Sequence, residues 1–345
     1  MIQISPETQL FIREHSSDDV RALALQAKKY PDINMPTAIT QIAGRQVAAE
    51  KIPSWREIEE IWYPKHLSLE QCSSEITARY KARLFQGDSL IDLTGGFGID
   101  CSFLATGFKT ATYVERQEEL CEIAAHNFPI LNLNHINVRN EDGVAYLQSM
   151  SPVDCIFLDP ARRNEHGGKT VAISDCEPNV AELEALLLSK ANRVMIKLSP
   201  MLDLSLALKE LKHTQEIHIL SVNNECKELL ILLGQTSPAE IAIHCVNLLT
   251  KGTQEEQHLV FTREQEQRSQ CTYTDSLGNY LYEPNASLLK AGAFRSIAAA
   301  YPVRKLHPNS HLYTSDSFIE NFPGRIFRIV NQCSFNKKEV KENLA

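Results

Sequence analysis

The chain has no apolar stretch near the roughly 20 residues needed to span a bilayer. Its start, "MIQISPETQLFIREHSS", lacks a basic opening followed by an apolar run. These two absences argue against a membrane-spanning helix and against a secretory leader. Among nine cysteines there is no CxxC pair, and Cys155, Cys226 and Cys245 sit inside apolar segments. Thiols scattered in this way read as reduced and structural, in a cytoplasm; they form neither a disulfide framework nor a zinc site, and no metal is expected. A basic excess is also missing. Lys and Arg number 35 against 43 Asp and Glu, for a net charge of -8, so bulk electrostatics gives no support to a nucleic-acid partner. The charge is uneven, however. Acidic residues dominate before about residue 235, and the last stretch is slightly basic, with Arg295, Arg304, Lys305, Arg325, Arg328, Lys337, Lys338 and Lys341. That bias is compatible with RNA contact and equally with a solvated face.

What is present is ordinary for a globular protein. Hydrophobic residues make up 43% and charged residues 23% of 345, enough chain for a substantial core in one to three domains. Residues 1–70 read as helical in "SSDDVRALALQAKKY", "MPTAITQIAGRQVAAEKI" and "SWREIEEIWY", with apolar residues three and four apart and Ser16 or Ser54 as N-caps. From about residue 71 strands and helices alternate. "SLIDLT" (89–94), "ATYVE" (111–115), "HINVRN" (135–140), "DCIFLD" (154–159) and "RVMIKL" (193–198) are the strands, with helical segments between them. "EIHILSV" (216–222) and "ELLILLG" (228–234) are separated by only about five residues. A parallel pair needs a crossover of about a dozen residues or more, so this last pair must be an antiparallel hairpin. Five alternating strands followed by a hairpin predict an α/β fold: a Rossmann-like, seven-stranded sheet with one reversed strand, the order of class I S-adenosylmethionine (SAM) methyltransferases.

The chemistry sits at the strand ends. "LIDLTGGFGID" places Asp92, Thr94, Gly95, Gly96 and Gly98 between a strand and a helix, where glycine lets backbone amides approach a ligand. The dinucleotide pattern GxGxxG fits badly, because its third glycine falls on Cys101. An acid before the glycines suits the ammonium group of SAM; a structural turn is the plainer alternative. Glu115 ends the second strand, where a carboxylate can accept from both ribose hydroxyls. Asp142, with Gly143 behind it, follows the third strand, at the place of the acid that meets an adenine amino group. Each of these acids could also be a helix cap or a surface residue. All of them lie at the carboxyl ends of strands, where open α/β sheets bind ligands.

Asp159 and Pro160 close the fourth strand, on the acceptor side. Methyltransferases acting on exocyclic amines carry Asp/Asn-Pro-Pro followed by an aromatic ring that stacks on a flipped base. Here the run is Asp159-Pro160-Ala161-Arg162-Arg163. The acid and first proline remain, and Arg162 stands where the ring would be, fit to stack by its guanidinium plane or to grip a phosphate or carboxylate. An Asp–Arg pair bracing the turn is the other reading. The link that follows is long; Gly167 and Gly168 could hinge a lid, and Lys197 and Ser199 end the fifth strand on the same rim.

Taken together, "LEQCSSEITARYKARLF", "LIDLTGGFGID", "IFLDPARR", "IKLSPMLDL", "YLYEPNASLLKAGAF" and "KLHPNSHLYTSD" resemble bacterial class I SAM-dependent methyltransferases with a C-terminal THUMP-like domain. The resemblance implies a helical N-terminal domain (1–70), a SAM-binding domain (71–235), a small ferredoxin-like module (236–274) and a THUMP-like domain (275–345). It also implies SAM as cofactor, RNA as a partner and methyl acceptor, and Ser73 and Ser74 closing over the methionine end; a capped helix is the simpler role for these serines. A protein or small-molecule acceptor, or an RNA-binding protein that keeps the fold without catalysis, are the alternatives.

Overall fold

The computed structural model describes residues 4–162, 172–252, 255–333, 336 and 341. Two compact units divide the chain: Met1–Lys197 with Leu233–Gln235, and Leu198–Leu232 with Thr236–Ala345.

The first unit opens with helices α1 (Pro6–Glu14), α2 (Val20–Leu25), α3 (Met35–Lys51), α4 (Pro53–Arg56) and α5 (His66–Gln71). The caps differ from the expected serines. Ser5, Asp19 and Asn34 take the orphan amides of α1, α2 and α3 through their side-chain oxygens. Phe11, Ile12, Leu23, Met35, Ala38 and Ile42 form one small core among these helices. A second core joins Ala48, Ile52, Trp55, Ile61 and Tyr63 to Phe97, Ile99 and Ile123. The chain between the helices and the sheet is fastened by two side-chain amides. Gln41 accepts from the Tyr63 N–H and donates to its carbonyl, both at 2.9 Å, and Asn127 does the same for Trp62, also at 2.9 Å.

Then α6 (Glu75–Leu84) leads into β1 (Gly87–Asp92), α7 (Ile99–Ala105), β2 (Phe108–Glu115), α8 (Glu118–Ile130), β3 (Ile136–Asn140), α9 (Gly143–Ser149) and β4 (Val153–Leu158). After a two-residue antiparallel ribbon, β5 (Ala161–Arg162) with β6 (Cys176–Glu177), come α10 (Val180–Lys190) and β7 (Ala191–Leu198). The strands lie in the order β3-β2-β1-β4-β7, all parallel. The buried runs Leu90-Ile91-Asp92 and Cys155-Ile156-Phe157-Leu158 explain the two central positions, since a strand covered on both faces is apolar without alternation. Between β1 and β4 the strand order reverses, which opens a crevice at their carboxyl ends. The anticipated Gly167–Gly168 hinge and Arg163 lie outside the described residues, as does the Arg162 side chain; the Arg162 backbone pairs with Cys176.

The second unit holds α11 (Leu204–Glu210), β8 (Thr214–Val222), β9 (Glu225–Gly234), β10 (Ala242–Leu248), β11 (Glu256–Phe261) and α12 (Arg263–Arg268). The predicted hairpin is β8–β9. Its two-residue turn, Asn223-Asn224, has φ of 48° and 70°, the left-handed backbone that tight hairpins require and asparagine tolerates. All seven expected strands are therefore present: β1, β2, β3, β4, β7, β8 and β9. The strands that the sequence suggested for a module at 236–274 run instead in the sheet of β8: β10 pairs with it in parallel, and β11 is antiparallel to β10. Last come β12 (Tyr280–Pro284), α13 (Ala286–Ala291), α14 (Phe294–Ala300), β13 (Arg304–Lys305), β14 (Tyr313–Ser315) and β15 (Gly324–Arg328). These four strands make a small antiparallel sheet in the order β13-β14-β12-β15.

Candidate active site

The glycine loop is shaped by its own backbone and by strand-end acids. Gly95 N–H donates to the Val114 carbonyl at 2.9 Å, tying the loop to β2. Gly98 has φ of +87° and forms the N-cap of α7, a conformation that any side chain would strain. Glu115 lies under the loop, with Oε2 accepting from Gly96 N–H at 3.0 Å and Oε1 from Gln117 N–H at 2.8 Å. The backbone thus fixes the plane of this carboxylate and leaves further lone pairs on both oxygens.

Asp92 is the unusual member. It is only 1% exposed. Oδ1 accepts from Thr94 N–H at 3.0 Å, and Oδ2 has no hydrogen-bonding partner among the described residues. Burial pushes its carboxyl well above the usual carboxylate range, and the nearby Asp100, Asp159 and Glu115 charges push the same way against the Thr94 N–H. A buried acceptor is nearly always paired, so an orphan such as this one invites a donor or a cation.

Beside it runs a buried ionic chain that the sequence reading saw only in part. Asp100, in the first turn of α7, is paired with Lys81 of α6 at 3.1 Å and with Lys197 of β7 at 3.4 Å. Ser73 Oγ donates to Asp100 at 2.7 Å and accepts from Lys81 Nζ at 3.0 Å. Lys197 Nζ also donates to Asp159 Oδ2 at 2.6 Å, and Asp159 N–H donates to Thr94 Oγ1 at 2.6 Å. Burial alone would raise the Asp100 pKa, but the Lys81 and Lys197 ammonium groups and the Ser73 hydroxyl outweigh it and hold the group low. One network therefore links Asp159, just after β4, to the Ser73 hydroxyl. Ser73 enters as a hydrogen-bonding member of this chain. Ser74 stands at the N-cap of α6 without a side-chain cap bond, and its hydroxyl lies 3.2 Å from Thr77 Oγ1.

Asp142 caps α9, with Oδ1 accepting from Val144 and Ala145 N–H, both at 3.0 Å. Gly143 behind it is dictated by packing, because a Cβ there would sit 2.2 Å from the Leu93 carbonyl oxygen, at the end of β1. Gly143→Ala is expected to cost about 1–3 kcal/mol by overpacking this backbone contact. Urea unfolding followed by tryptophan fluorescence checks it, since Trp55 and Trp62 are the only tryptophans and both lie in the first unit. Pro160 is buried directly beyond Asp159 and stiffens the exit from β4.

The cluster holds four acids, Asp92, Asp100, Glu115 and Asp159, and two lysines, Lys81 and Lys197. A crystal structure from Porphyromonas gingivalis W83, of a protein assigned as a methyltransferase, is 35% identical with a TM-score of 0.85; the match covers 99% of this chain and 86% of that one. The present chain belongs to the same methyltransferase family. Residues 56–164 of this methyltransferase match the protein-L-isoaspartate(D-aspartate) O-methyltransferase family, and residues 280–323 match a ferredoxin-like domain family. The ferredoxin-like match thus falls in the segment for which a THUMP-like domain was anticipated. An rRNA methylase from Streptococcus thermophilus (14% identity, TM-score 0.34, 46% of this chain and 93% of that one) also shares similarity. So does TrmK from M. capricolum, solved with S-adenosyl-homocysteine (12%, 0.36, 47% and 68%). At these scores neither bears on what this methyltransferase acts on. No curated protein matches.

Proposed function

We propose that the chain transfers methyl groups from SAM to an RNA acceptor. The observation that carries the cofactor is the buried, unpartnered Oδ2 of Asp92 beneath the glycine loop. An ammonium group is the natural complement to a carboxylate held out of water beside three other acids. Asp92 would hold that ammonium, Gly95, Gly96 and Gly98 would keep the loop close, and Glu115, already oriented by Gly96 and Gln117, would accept from the ribose hydroxyls. Asp142 keeps Oδ2 for an adenine amino group while Oδ1 caps α9. SAM supplies a methyl group on a good sulfonium leaving group. The protein must then align an acceptor and take one proton from it. Asp159, at the end of β4 with its carboxylate bonded to Lys197 and its N–H to Thr94 Oγ1, is our candidate for both tasks. The neighbouring arginine, Arg162, suits an acceptor bearing phosphate, and the basic bias of the last hundred residues gives the C-terminal segment the role of presenting RNA.

Calorimetry with SAM and with its demethylated product tests the cofactor, and absence of heat at high micromolar ligand would sink it. For the acceptor, nucleoside mass spectrometry compares RNA from a strain lacking the gene with that of its parent. One modified nucleoside should disappear, and an unchanged set would remove the RNA reading. A protein carboxylate is the second reading, favoured by the isoaspartate methyltransferase match over 56–164 and by the net charge of -8. It predicts base-labile methyl label on protein instead.

A further inference from the structure

We propose that Glu216, His218 and His244 form a site for one Zn²⁺-class transition-metal ion on the sheet of the second unit. Three observations carry this inference, and none depends on methyl transfer. The first is register. Glu216 and His218 alternate on β8 and so share one face, and His244 of β10 is the direct parallel neighbour of His218. His258 of β11 lies opposite Val246, two residues along from His244, and so joins the same face.

The second is distance. Glu216 Oε2 lies 3.2 Å from His218 Nε2 and 3.8 Å from His244 Nε2. One donor atom from each of the three residues falls within 4.8 Å of the others. Ligand atoms around a tetrahedral zinc, with bonds of about 2.0–2.2 Å, stand roughly 3.3 Å apart. The set therefore needs only small rotamer adjustments, and the fourth position remains for water. Two imidazoles and a carboxylate are a donor set typical of this ion class.

The third is the surrounding shell. His244 Nδ1 lies 3.2 Å from His258 Nε2. A His244 ring that gives Nε2 to a metal must carry its proton on Nδ1, and His258 is there to accept it. This is the outer partner that metal-bound histidines usually have. The His218 and His244 rings stack at 4.2 Å, so their positions are set before any ion arrives. Burial, followed by the neighbouring His218, pushes the His244 pKa down to about 4, with His258 adding to the fall and Glu216 opposing it. Exposure runs from 2% for the His218 side chain to 45% for that of Glu216, which gives a rigid floor and an open mouth.

The test uses the full chain, with Zn²⁺ and Co²⁺ as probes. Calorimetry should show one equivalent of Zn²⁺ bound. His258→Ala, at an exposed position, should weaken binding about 10–100-fold, and Glu216→Gln or His244→Gln should weaken it further. Unchanged circular dichroism would show that each variant is folded. The Co²⁺ spectrum should show tetrahedral d–d bands without thiolate charge transfer, which separates this site from the nine cysteines. No stoichiometric binding, a thiolate band, or full affinity retained in the Glu216 and His244 variants would overturn the proposal.

Discussion

Asp92→Asn is expected to abolish measurable SAM binding while making the ligand-free protein more stable. The two effects share one cause. The buried carboxyl has its pKa raised by desolvation and by three neighbouring acids, so the folded protein holds this proton to higher pH than the unfolded chain does. Stability from this group is full below the ordinary carboxylate range, near pH 4, and is lost as pH rises toward the folded value. Asparagine keeps the acceptor for Thr94 N–H and cannot ionise, so it removes that loss. It also removes the charge that would face an ammonium group, which should weaken binding at least about 100-fold, the scale of a desolvated charge pair. Calorimetry measures the binding, and thermal melts from pH 5 to 8 measure the slope. Equal affinity in the variant, or a lower melting temperature across the whole range, would count against this role for Asp92.

Lys81→Met should destabilise the first unit by about 3–5 kcal/mol, the usual cost of stripping one partner from a buried ion pair. The Lys81 side chain has 0% exposure and that of Asp100 only 10%, which leaves little room for water to replace the ammonium. The Lys197 contact at 3.4 Å is too long to compensate fully. Because the Asp100 pKa is held low, its contribution is present above the ordinary carboxylate range and fades as pH falls below that range toward the lowered folded value. The destabilisation should therefore be largest near neutrality and shrink in acid. Adding Asp100→Asn to Lys81→Met should restore much of the loss, with a coupling of roughly 1–3 kcal/mol. Urea titrations of the two single variants and the double variant provide the cycle, and additive losses would show that the pair does not act as a unit.

The fold was legible where a run of residues carries its own signature. Strand-like runs alternating with helical segments gave the parallel sheet, and the short link between "EIHILSV" and "ELLILLG" gave the reversed strand. The glycine loop with Asp92, Thr94 and Glu115 could be read because its members follow their strands in sequence. Partners brought together by register could not. "EIAIHCVNLL" shows a strand and says nothing of which strand it joins, so β10 and β11 were assigned to a separate module. The histidines at 218 and 244 are 26 positions apart and become neighbours only through the β8–β10 pairing. Lys81 and Asp100 were hidden differently. In "ITARYKARL" a lysine looks like part of a solvated helix face, and only the packing of α6 against α7 shows that it is enclosed.

The reciprocal amides of Gln41 and Asn127 act like rungs of a ladder, so the link carrying Trp62 and Tyr63 is held as firmly as a paired strand would be. Phe97, in the middle of the glycine loop, packs in the same core as Trp55 and Tyr63. The helices before residue 70 and the loop beneath the proposed cofactor site should therefore open and close as one cooperative block. In hydrogen-exchange terms, the loop amides inherit their protection from the N-terminal helices. A deletion that looks like the trimming of a helical appendage would unlatch the floor of the site.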